Sequence, residues 1–337
     1  MNSSVTIEKV AQISGVSAKT VSRVLRHKGS GYSESTRAKV EAVAAQLGYS
    51  PNGSARALAS SQSFLIALIF DNKNAGYVLE LQLGAAHRCR QSGYHLVIKS
   101  VGDGVDAVER VRGLLDATRL HGAILAPPLC EDRAVVDLLV SRGVPCVRIA
   151  PSADRPSTQS IRIDDRGAAR AATRHLLSLG HDRIAFIGGP ARGPAAAERR
   201  AGFEEAIASS SRPVAAIIRL GDFTFKSGLD HGMELLGHDE GPTAIFAAND
   251  EMAFGVIAAA NQVRLGIPHD VSVMGFDDSP AARVVRPQLT TVRQPVREMA
   301  DAAVAQLLAE KAVSPTRLPM EPELVIRGST GFARSVP

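Results

Sequence analysis

Polar side chains follow several apolar stretches of this sequence, at places where a buried strand would end. Carboxylates accept hydrogen bonds and amides both donate and accept them, so a cluster of such groups could hold a polar ligand. In open α/β sheets, ligands bind beyond the carboxyl ends of the strands, which places these groups at one rim. They are Asp71, Asn72, Asn74 and Tyr77; Asp164 and Asp165; Asn249 and Asp250; and Asp277 and Asp278. An Asp or Asn after a strand can also simply cap the next helix, and for Asp165 and Asp250 both interpretations remain open.

No set of residues in the sequence forms a recognisable catalytic group. Asp277 and Asp278 are adjacent, so they do not define two faces of a scissile bond as the paired carboxylates of a glycosidase do. The run from Ser209 to Ser211 lacks the G-x-S-x-G pattern of a nucleophile elbow. His181 follows the end of a predicted helix, where a structural role is expected. The sequence therefore predicts a protein that is not an enzyme and needs no cofactor.

A second set of candidate residues lies near the N-terminus, where residues 5–25 read as two short helices joined by a turn. Thr6 and Ser17 can cap the two helices, and Gly15 suits the turn. Apolar residues recur at three- and four-residue spacing and give each helix one apolar face: Val10 and Ile13, then Val21, Val24 and Leu25. This is the pattern of a helix-turn-helix.

The second helix of this motif would present Ala18, Lys19, Ser22 and Arg23 on its outer side. In helix-turn-helix proteins that bind DNA, this helix enters the major groove and its first residues meet base edges. A helical hairpin with a polar outer face and no DNA partner has a similar pattern, so the motif alone leaves both interpretations open.

The net charge of +5 is concentrated at the N-terminus. Residues 1–61 contain eight of the 39 basic residues and three of the 34 acidic ones, which leaves 31 of each for the rest of the chain. Neutralisation of phosphates supplies most non-specific affinity for DNA. A basic head on a neutral body is therefore the pattern expected of a nucleic-acid-binding protein.

Downstream of the helix-turn-helix, a third helix is predicted from about Glu34 to Leu47, followed by a short linker at 51–62. From Phe64 onward, apolar strands alternate with amphipathic helices, which indicates two doubly wound parallel-sheet halves. The predicted strands are FLIALIF, HLVIKS, GAILAP and VPCVRI, then SIRI, RIAFIGG, AAIIRL, TAIFAAN and VSVMGF. The predicted helices occupy about 77–92, 133–142, 166–179, 198–209, 226–236 and 251–262.

The cysteines and the apolar runs favour an intracellular protein. Cys89, Cys130 and Cys146 are odd in number and lack metal-ligand spacing, so neither a disulfide framework nor a metal site is expected. The N-terminus shows no signal-peptide pattern, and no apolar run reaches the roughly 20 residues that span a bilayer. We expect a soluble, cytoplasmic chain with no membrane partner.

Taken together, the motifs resemble those of the LacI/GalR family of bacterial transcription regulators. The matching segments run in family order from residue 5 to about residue 330, so the resemblance covers nearly the whole chain. Each segment is weak by itself, but the ordered set is specific. The segments are VAQISGVSAKTVSRVL, TRAKVEAVAAQLGYSPN, ARALAS, LLSLGHDRIAFIGG, RRAGFEEAI, AIFAANDEMAFGV, VSVMGFDD and LTTVRQP.

The resemblance implies a small all-α helix-turn-helix head and an α/β core of two doubly wound parallel-sheet lobes, like that of a periplasmic binding protein. The expected head is 1–50, a hinge helix or linker is 51–62, and a core that binds the effector and dimerises is 63–337. The chain of such a core crosses between the lobes three times. The expected N-lobe is about 63–160 and 294–320, and the expected C-lobe is about 161–293 and 321–334.

The resemblance also implies which residues of the head contact DNA. By position, Ala18, Lys19 and Arg23 match the base-reading places of the recognition helix. An arginine can pair with both acceptors on a guanine edge, and a lysine is a less exact donor to the same edge. Phosphate contacts or helix caps are expected of Thr6, Ser17 and Ser22.

The hinge matches the family at three further positions. Asn52 corresponds to a polar contact, and Ala55 and Leu58 correspond to a minor-groove pair. Leu58 would be the side chain that partly unstacks a central base step and kinks the duplex. Gly53 and Ser54 depart from the stronger helix formers often found there, so this hinge helix is expected to depend on DNA to fold.

In the core, the resemblance assigns effector contacts to Arg199, Asn249 and Asp277, an aromatic sugar-stacking place to Phe223, and lesser places to Tyr77 and Gln294. Two simpler interpretations stay open: a solvated helix charge for Arg199 and a surface cap for Asp277. Arg148 precedes a departure from the family pattern at Ala150. It could reach the cleft or pair with an acid on the outer surface, and both remain open.

The function implied is that of a homodimeric repressor of carbohydrate-utilisation genes that binds operator DNA and responds to a small sugar-type effector. The alternative from another class is the solute-binding protein of a sugar transporter, which shares the core fold. The absent signal-peptide pattern and the basic head disfavour that alternative. The sequence decides neither the identity of the effector, nor the regulated genes, nor whether the effector induces or corepresses.

Overall fold

The computed structural model describes residues 5–26, 32–49, 63–71, 74–102, 106–191, 193–238, 240–309 and 322–334. The chain divides into two compact units, a head of residues 1–64 and a core of residues 65–337. Within the described ranges, the head is made of helices, whereas the core alternates helices with strands.

Three helices form the described part of the head: α1 (Ile7–Ser14), α2 (Ala18–Arg26) and α3 (Glu34–Gln46). Their apolar faces meet in a small core of Val10, Ala11, Val21, Val24, Val40 and Ala44. The predicted helix-turn-helix and third helix are therefore confirmed. One predicted core residue is wrong, because α1 turns Val10, Ala11 and Ser14 inward and leaves Ile13 45% exposed.

The turn between α1 and α2 forms largely as the residue types predict. Gly15 has a φ of +68°, in the left-handed region that glycine adopts without strain. The Ser17 hydroxyl accepts a hydrogen bond from the Thr20 amide at 3.1 Å and so caps α2. The predicted Thr6 cap is wrong, because its side chain makes no capping hydrogen bond to α1.

The first lobe of the core, the N-lobe, contains a parallel sheet with the strand order β2-β1-β3-β4-β5. Its strands are β1 (Leu65–Phe70), β2 (His95–Ser100), β3 (Gly122–Leu125), β4 (Cys146–Ile149) and β5 (Gln159–Ile161). The helices of its connections are α4 (Ala75–Gln91), α5 (Ala107–Ala117) and α6 (Arg133–Ser141). The sequence did not predict α5, in which Gly113 lowers the local helix propensity.

The second lobe, the C-lobe, contains a sheet with the strand order β11-β10-β9-β8-β6-β7, in which β11 is antiparallel to β10 and the other pairs are parallel. Its strands are β6 (Arg183–Gly188), β7 (Ala215–Leu220), β8 (Ala244–Ala247), β9 (Ser272–Asp277), β10 (Thr290–Arg293) and β11 (Glu323–Val325). Its helices are α7 (Asp165–Ser178), α8 (Pro194–Ala208), α9 (Phe225–Leu236) and α10 (Asp250–Gln262). The two doubly wound halves predicted from the sequence are confirmed, except that SIRI, predicted to begin the second half, contributes β5 to the sheet of the N-lobe by pairing with β4.

The chain enters the C-lobe between β5 and α7 and returns to the N-lobe after β10, in α11 (Val296–Leu308). Helix α11 packs against α4 and contributes Val296, Met299, Ala300, Ala303 and Val304 to the N-lobe core. Gly84 of α4 allows the close approach, since a Cβ there would lie 2.0 Å from the Arg297 carbonyl oxygen. This packing fixes the start of α4 beside the crossover residue Gln294, where the candidate site lies.

Candidate functional site

The end of β9 and the starts of two C-lobe helices bring three carboxylates together. Asp277 ends β9, Asp165 begins α7 and Asp250 begins α10. The Asp165 and Asp250 residues are 8% and 0% exposed, and the Asp277 side chain is 8% exposed. Burial raises the pKa of Asp277, and the neighbouring Asp165 raises it further, while Arg199 and hydrogen bonds oppose the shift. The parallel sheet therefore gathers groups that are far apart in sequence at one rim, as predicted.

Arg199, on α8, is the cation of this cluster. Its Nε donates to Asp165 Oδ1 at 2.8 Å, and its Nη1 donates to the Ala248 carbonyl oxygen at 2.7 Å. Its guanidinium carbon lies 3.7 Å from the centre of the Phe276 ring, an arrangement that favours a planar cation. The alternative of a solvated helix charge is wrong for Arg199, whose side chain is 6% exposed, and describes its neighbour Arg200 instead.

Asp277, at the end of β9 in the C-lobe, receives hydrogen bonds from the N-lobe and from the crossover segment. Asn74 Nδ2, at the start of α4 in the N-lobe, donates to Asp277 Oδ2 at 3.0 Å. Gln294 Nε2, in the crossover segment, donates to Asp277 Oδ1 at 2.5 Å. Arg199 Nη1 lies 4.0 Å from the same Oδ1 atom. The alternative of a surface cap is therefore wrong for Asp277, which lies where the lobes meet.

Asp165 and Asp250 do not cap their helices; the residues that precede them do. Asp164 caps α7 by accepting from the Gly167 amide at 3.0 Å, and Asn249 caps α10 by accepting from the Met252 amide at 3.0 Å. This leaves the Asp165 carboxylate free to pair with Arg199.

Asp250 accepts hydrogen bonds from the Thr291 hydroxyl at 2.6 Å and from the Ser279 amide at 2.7 Å. Burial, followed by the charge of Asp277, raises the pKa of Asp250. Its carboxyl group thus ties the start of α10 to the loop after β9 and to β10.

Of the remaining predicted core positions, Tyr77 and Gln294 lie beside Asp277, whereas Asn249 and Phe223 lie beside one another. Burial raises the pKa of Tyr77, and nearby Cys130, Asp277 and Asp165 raise it further, so the hydroxyl keeps its proton and can donate. The Asn249 Nδ2 donates to the Phe223 carbonyl oxygen at 2.9 Å. Asn249 therefore uses both ends of its amide to hold backbone.

Phe223 is half-buried and has a left-handed φ of +67°. Its ring lies against Gly189, where a Cβ would come within 2.2 Å of the ring carbon Cζ. The ring centre is 6.0 Å from the guanidinium carbon of Arg199. The absence of a side chain at Gly189 therefore leaves space for the Phe223 ring beside the cluster.

Arg148 lies within the N-lobe and is 1% exposed. Its guanidinium donates to the Thr158 hydroxyl at 3.0 Å and to the carbonyl oxygens of Cys130 at 3.4 Å and Ala153 at 2.6 Å. These bonds are to neutral groups, so the alternative of a surface pair with an acid is wrong. The side chain braces the loop that follows β4.

Asp278, adjacent to Asp277, has a different environment. Its carboxylate accepts from Arg293 at 2.8 Å, from Arg283 at 3.1 Å and from Arg327. Burial of the 1% exposed side chain opposes ionisation, but the hydrogen bonds from these arginines outweigh it and lower the pKa of Asp278. Asp278 is thus an ion-pair centre that ties the loop after β9 to β10 and to the C-terminal segment.

Two of the clustered carboxylates, Asp277 and Asp165, each border a cavity. One of about 630 Å³ is bordered by Tyr77, Asp277 and Gln294. The other, of about 530 Å³, is bordered by Ala150, Asp165 and Pro194. Each volume is within the range of small-molecule sites, and each cavity is bordered by residues of both lobes, but Arg199, Asn249 and Phe223 border neither of them.

In the head, the predicted DNA-contacting residues differ in exposure. Thr6, Ser17, Lys19 and Arg23 are exposed, whereas Ala18 and Ser22 are half-buried. Ala18 packs partly against the core of the head. Lys19 and Arg23 are one helical turn apart on α2, so both project from the same face.

The predicted hinge contacts fall on residues that the structure does not describe. Asn52, Ala55 and Leu58 lie outside them, as does the Gly53–Ser54 departure. Within the described part of the chain, no helix is both long and apolar enough to cross a membrane. Nor do three or more His, Cys, Asp or Glu side chains of those residues form a group that could hold a metal ion.

His181 is buried in the C-lobe and bonded to Thr243, Ser272 and the Gly331 carbonyl oxygen, which confirms its structural role.

Sequence reasoning missed several residues of the cluster. Asn74, Asp165 and Asp250 follow predicted strands at the rim, but the family resemblance assigns effector contacts to none of them. Phe276, whose ring supports Arg199, was not recognised at all, because an aromatic residue inside VSVMGF reads as strand core. Position in the sequence could have pointed to two of these residues. Phe276 directly precedes Asp277, and Asn74 directly precedes the helix that carries Tyr77.

Comparisons with known proteins match both the head and the core of this chain. Residues 6–52 match the family described as bacterial regulatory proteins, lacI family, and residues 173–330 match the periplasmic binding protein-like domain. The HTH-type transcriptional regulator CelR of Thermobifida fusca is 33% identical, with 96% of this chain and 98% of CelR covered.

Two solved structures are similar over almost the whole chain. The lac repressor dimer bound to operator and the anti-inducer ONPF is 32% identical, covers 98% of this chain and 100% of that chain, and has a TM-score of 0.79. The CelR–cellobiose complex is 30% identical, covers 96% of this chain and 99% of that chain, and has a TM-score of 0.72. With its helix-turn-helix head and two-lobed core, this protein belongs to the lacI family of bacterial regulatory proteins, and it is a transcriptional regulator.

Proposed function

We propose that this protein is a cytoplasmic, homodimeric repressor of carbohydrate-utilisation genes, whose affinity for operator DNA changes when a small saccharide binds between the lobes of its core. The observation that carries the proposal is the contact of both lobes with Asp277, through Asn74 on one side and Arg199 on the other. A ligand that bonds to Asp277 must alter this junction, and so it can alter how the lobes meet.

The chemistry of the cleft suits a saccharide. Carboxylates and amides can accept from and donate to hydroxyls, and the Phe223 ring offers an apolar face for C–H groups. The contacts proposed are Arg199, Asn249, Asp277 and Phe223, with Tyr77 and Gln294 at the margin. We do not include Arg148, because its donors serve the loop after β4.

Similar proteins support this interpretation. The structural relative CelR is described in complex with cellobiose, and the lac repressor is described as a dimer bound to operator. A two-fold dimer of heads would require a near-palindromic operator with half-sites spaced to match.

In the head, we propose that Lys19 and Arg23 read bases, that Ala18 makes at most an apolar contact, and that Thr6, Ser17 and Ser22 contact phosphates. The exposure of Lys19 and Arg23 on one face of α2 supports these roles. No enzymatic activity, cofactor or metal is part of the proposal.

The test has two stages, and the first of them identifies the operator sequence. In that stage, sequences are selected from random duplex DNA with the full chain, which should yield a near-palindrome. In the second, a library of neutral mono- and disaccharides is screened for compounds that change affinity for the selected duplex. A coupling of about 1 to 3 kcal/mol would change that affinity roughly 5- to 150-fold. Selection of no preferred sequence, or no response to any saccharide, would contradict the proposal.

The base-reading role has its own variant and control. Arg23→Ala should relax the preference at one base pair, at a cost of about 1–3 kcal/mol in discrimination. Lys9→Ala removes the same charge from an exposed position of α1. That control should weaken binding to all sequences alike. If both variants keep the wild-type preference, Arg23 does not read a base.

A further inference from the structure

The cleft contains more buried negative charge than positive charge. Arg199 faces Asp165 directly and Asp277 at 4.0 Å, while burial and the charge of Asp277 raise the pKa of Asp250 and favour its neutral form. Even with Asp250 protonated, two carboxylates face one guanidinium. The other arginine below 9% exposure in the described core is Arg148, which donates to neutral groups within the N-lobe.

The charge of Arg199 is already matched inside the protein. Its Nε–H is bonded to Asp165 at 2.8 Å, with side chains that are 6% and 9% exposed. Its Nη1 is bonded to the Ala248 carbonyl oxygen, and its face is stacked on Phe276. A guanidinium has five N–H groups, so it can still donate to a ligand hydroxyl. It has no unmatched charge to offer a ligand anion.

An anionic ligand would meet repulsion here. A carboxylate or phosphate placed against Arg199 would also lie beside Asp165 and Asp277, in a region where burial weakens solvent screening. A hydroxyl at the same place would bring dipoles but no net charge. The cleft should therefore separate sugars by charge as well as by shape.

We propose that Asp165 is a specificity-determining residue that neutralises Arg199 and so makes the cleft select uncharged saccharides over sugar acids and sugar phosphates. This inference rests on the proposed function, because it concerns the same cleft. It assigns Asp165 a role in choosing the ligand, through Arg199, beyond its place at the start of α7.

The variant that tests this role is Asp165→Asn. The substitution removes one negative charge but keeps an oxygen that can accept from Arg199 Nε. Its matched control is Asp164→Asn, which removes the same charge from the adjacent, exposed residue and keeps the cap on the Gly167 amide. Both variants thus have the same net charge and the same side-chain size, and they differ in whether the lost charge faced Arg199.

The measurement is calorimetric titration of the full chain at pH 7 with matched ligand sets. Each neutral sugar (glucose, galactose, mannose and disaccharides built from them) is paired with its uronic acid and its 6-phosphate. For the wild type and for Asp164→Asn, the anionic member of each pair should bind roughly 100-fold or more weakly than the neutral one. In Asp165→Asn that ratio should shrink at least about tenfold, mainly because the anionic sugar gains affinity.

The outcomes separate the two proposals. If neutral and anionic members bind the wild type equally well, the charge-selection inference is overturned and the proposed function stands. This comparison needs no variant, so it remains decisive if Asp165→Asn does not fold. Equal ratios in folded Asp165→Asn and Asp164→Asn would remove the role of Asp165. Binding of no saccharide of either charge would overturn the proposed function, and this inference with it.

Discussion

Asp277 and Asp278 are adjacent in the chain and both have buried side chains, yet they form two opposite kinds of site. The carboxylate of Asp277 is held by the amides of Asn74 and Gln294, with other acids nearby, and its pKa is raised. The carboxylate of Asp278 is held by three arginines, and its pKa is lowered. Both residues have positive φ values, +134° and +56°, so the chain turns sharply where β9 ends.

The difference shows what separates a ligand-binding acid from a structural one. Asp278 has more positive partners than it needs, and exchanging them for ligand hydroxyls would leave arginines unpaired. Asp277 has neutral amide partners that a ligand hydroxyl can replace at little electrostatic cost. Three neighbouring arginines therefore hold Asp278 in a structural role. Asp277 has fewer cations around it, so its carboxylate can bond to a ligand.

The largest effect is expected on stability. Asp278→Ala should lower the free energy of unfolding by about 3 kcal/mol or more, because it leaves the 11% exposed Arg327 without its counter-ion and also removes the partner of Arg283, while Arg293 keeps Glu323. Asp277→Ala should cost far less, because it also relieves repulsion with Asp250 and Asp165. Urea denaturation of both variants measures the difference. Equal losses would show that the two aspartates are not opposite in kind.

The second effect concerns affinity for a saccharide found by the library screen. Asp277→Asn should weaken its binding by roughly 10- to 100-fold, since a hydrogen bond to a charged group contributes about 1.5–3 kcal/mol. Asp278→Asn, which keeps its size but loses one charge, is the control and should change affinity by less than about threefold if folded. Calorimetry gives both values. A larger loss in Asp278→Asn would move the ligand to the arginine cluster.

The two aspartates should also give opposite dependences of stability on pH. Folding raises the pKa values of Asp250 and Asp277, so the folded state holds more protons and stability falls as pH rises from about 4 through the raised values. Folding lowers the pKa of Asp278, so its contribution is present above about pH 4 and is lost as pH falls.

Asp250→Asn should therefore flatten the decline toward neutral pH, by at most about 1.4 kcal/mol per pH unit for one proton. Asp278→Asn should flatten the acid limb instead. Melting temperatures between pH 3 and pH 8 distinguish these outcomes. An unchanged neutral limb in Asp250→Asn would show that its carboxylate does not titrate in that range.

The smallest effect is expected at Asn74, which donates to Asp277 across the two lobes. Asn74→Ser keeps a side chain that can cap α4 but is too short to reach Asp277. If the saccharide competes with Asn74 for this carboxylate, its affinity should rise by roughly 2- to 10-fold, the equivalent of one net hydrogen bond. Weaker binding would instead make Asn74 a ligand contact.

Much of the fold could be predicted because local patterns were strong. Apolar runs such as LIALIF and AIFA became buried strands, and Ser17 and Gly15 formed the predicted turn of the head. Helices α5 and α11 were missed. The apolar face of helix α11 is buried by packing against α4, which is distant in sequence, so local patterns alone did not indicate it.

The candidate site could be predicted only in outline. The sequence determined that carboxylates and amides follow strands, because strand ends and helix caps are set by neighbouring residues. The tertiary structure decided that Arg199 pairs with Asp165, that Asp164 and Asn249 take the caps, and that Arg148 braces a loop. Asp277 and Asp278 have the same side chain and nearly the same place in the sequence. Their different roles depend on which charges the folded chain brings to each one, and burial makes those charges strong enough to matter.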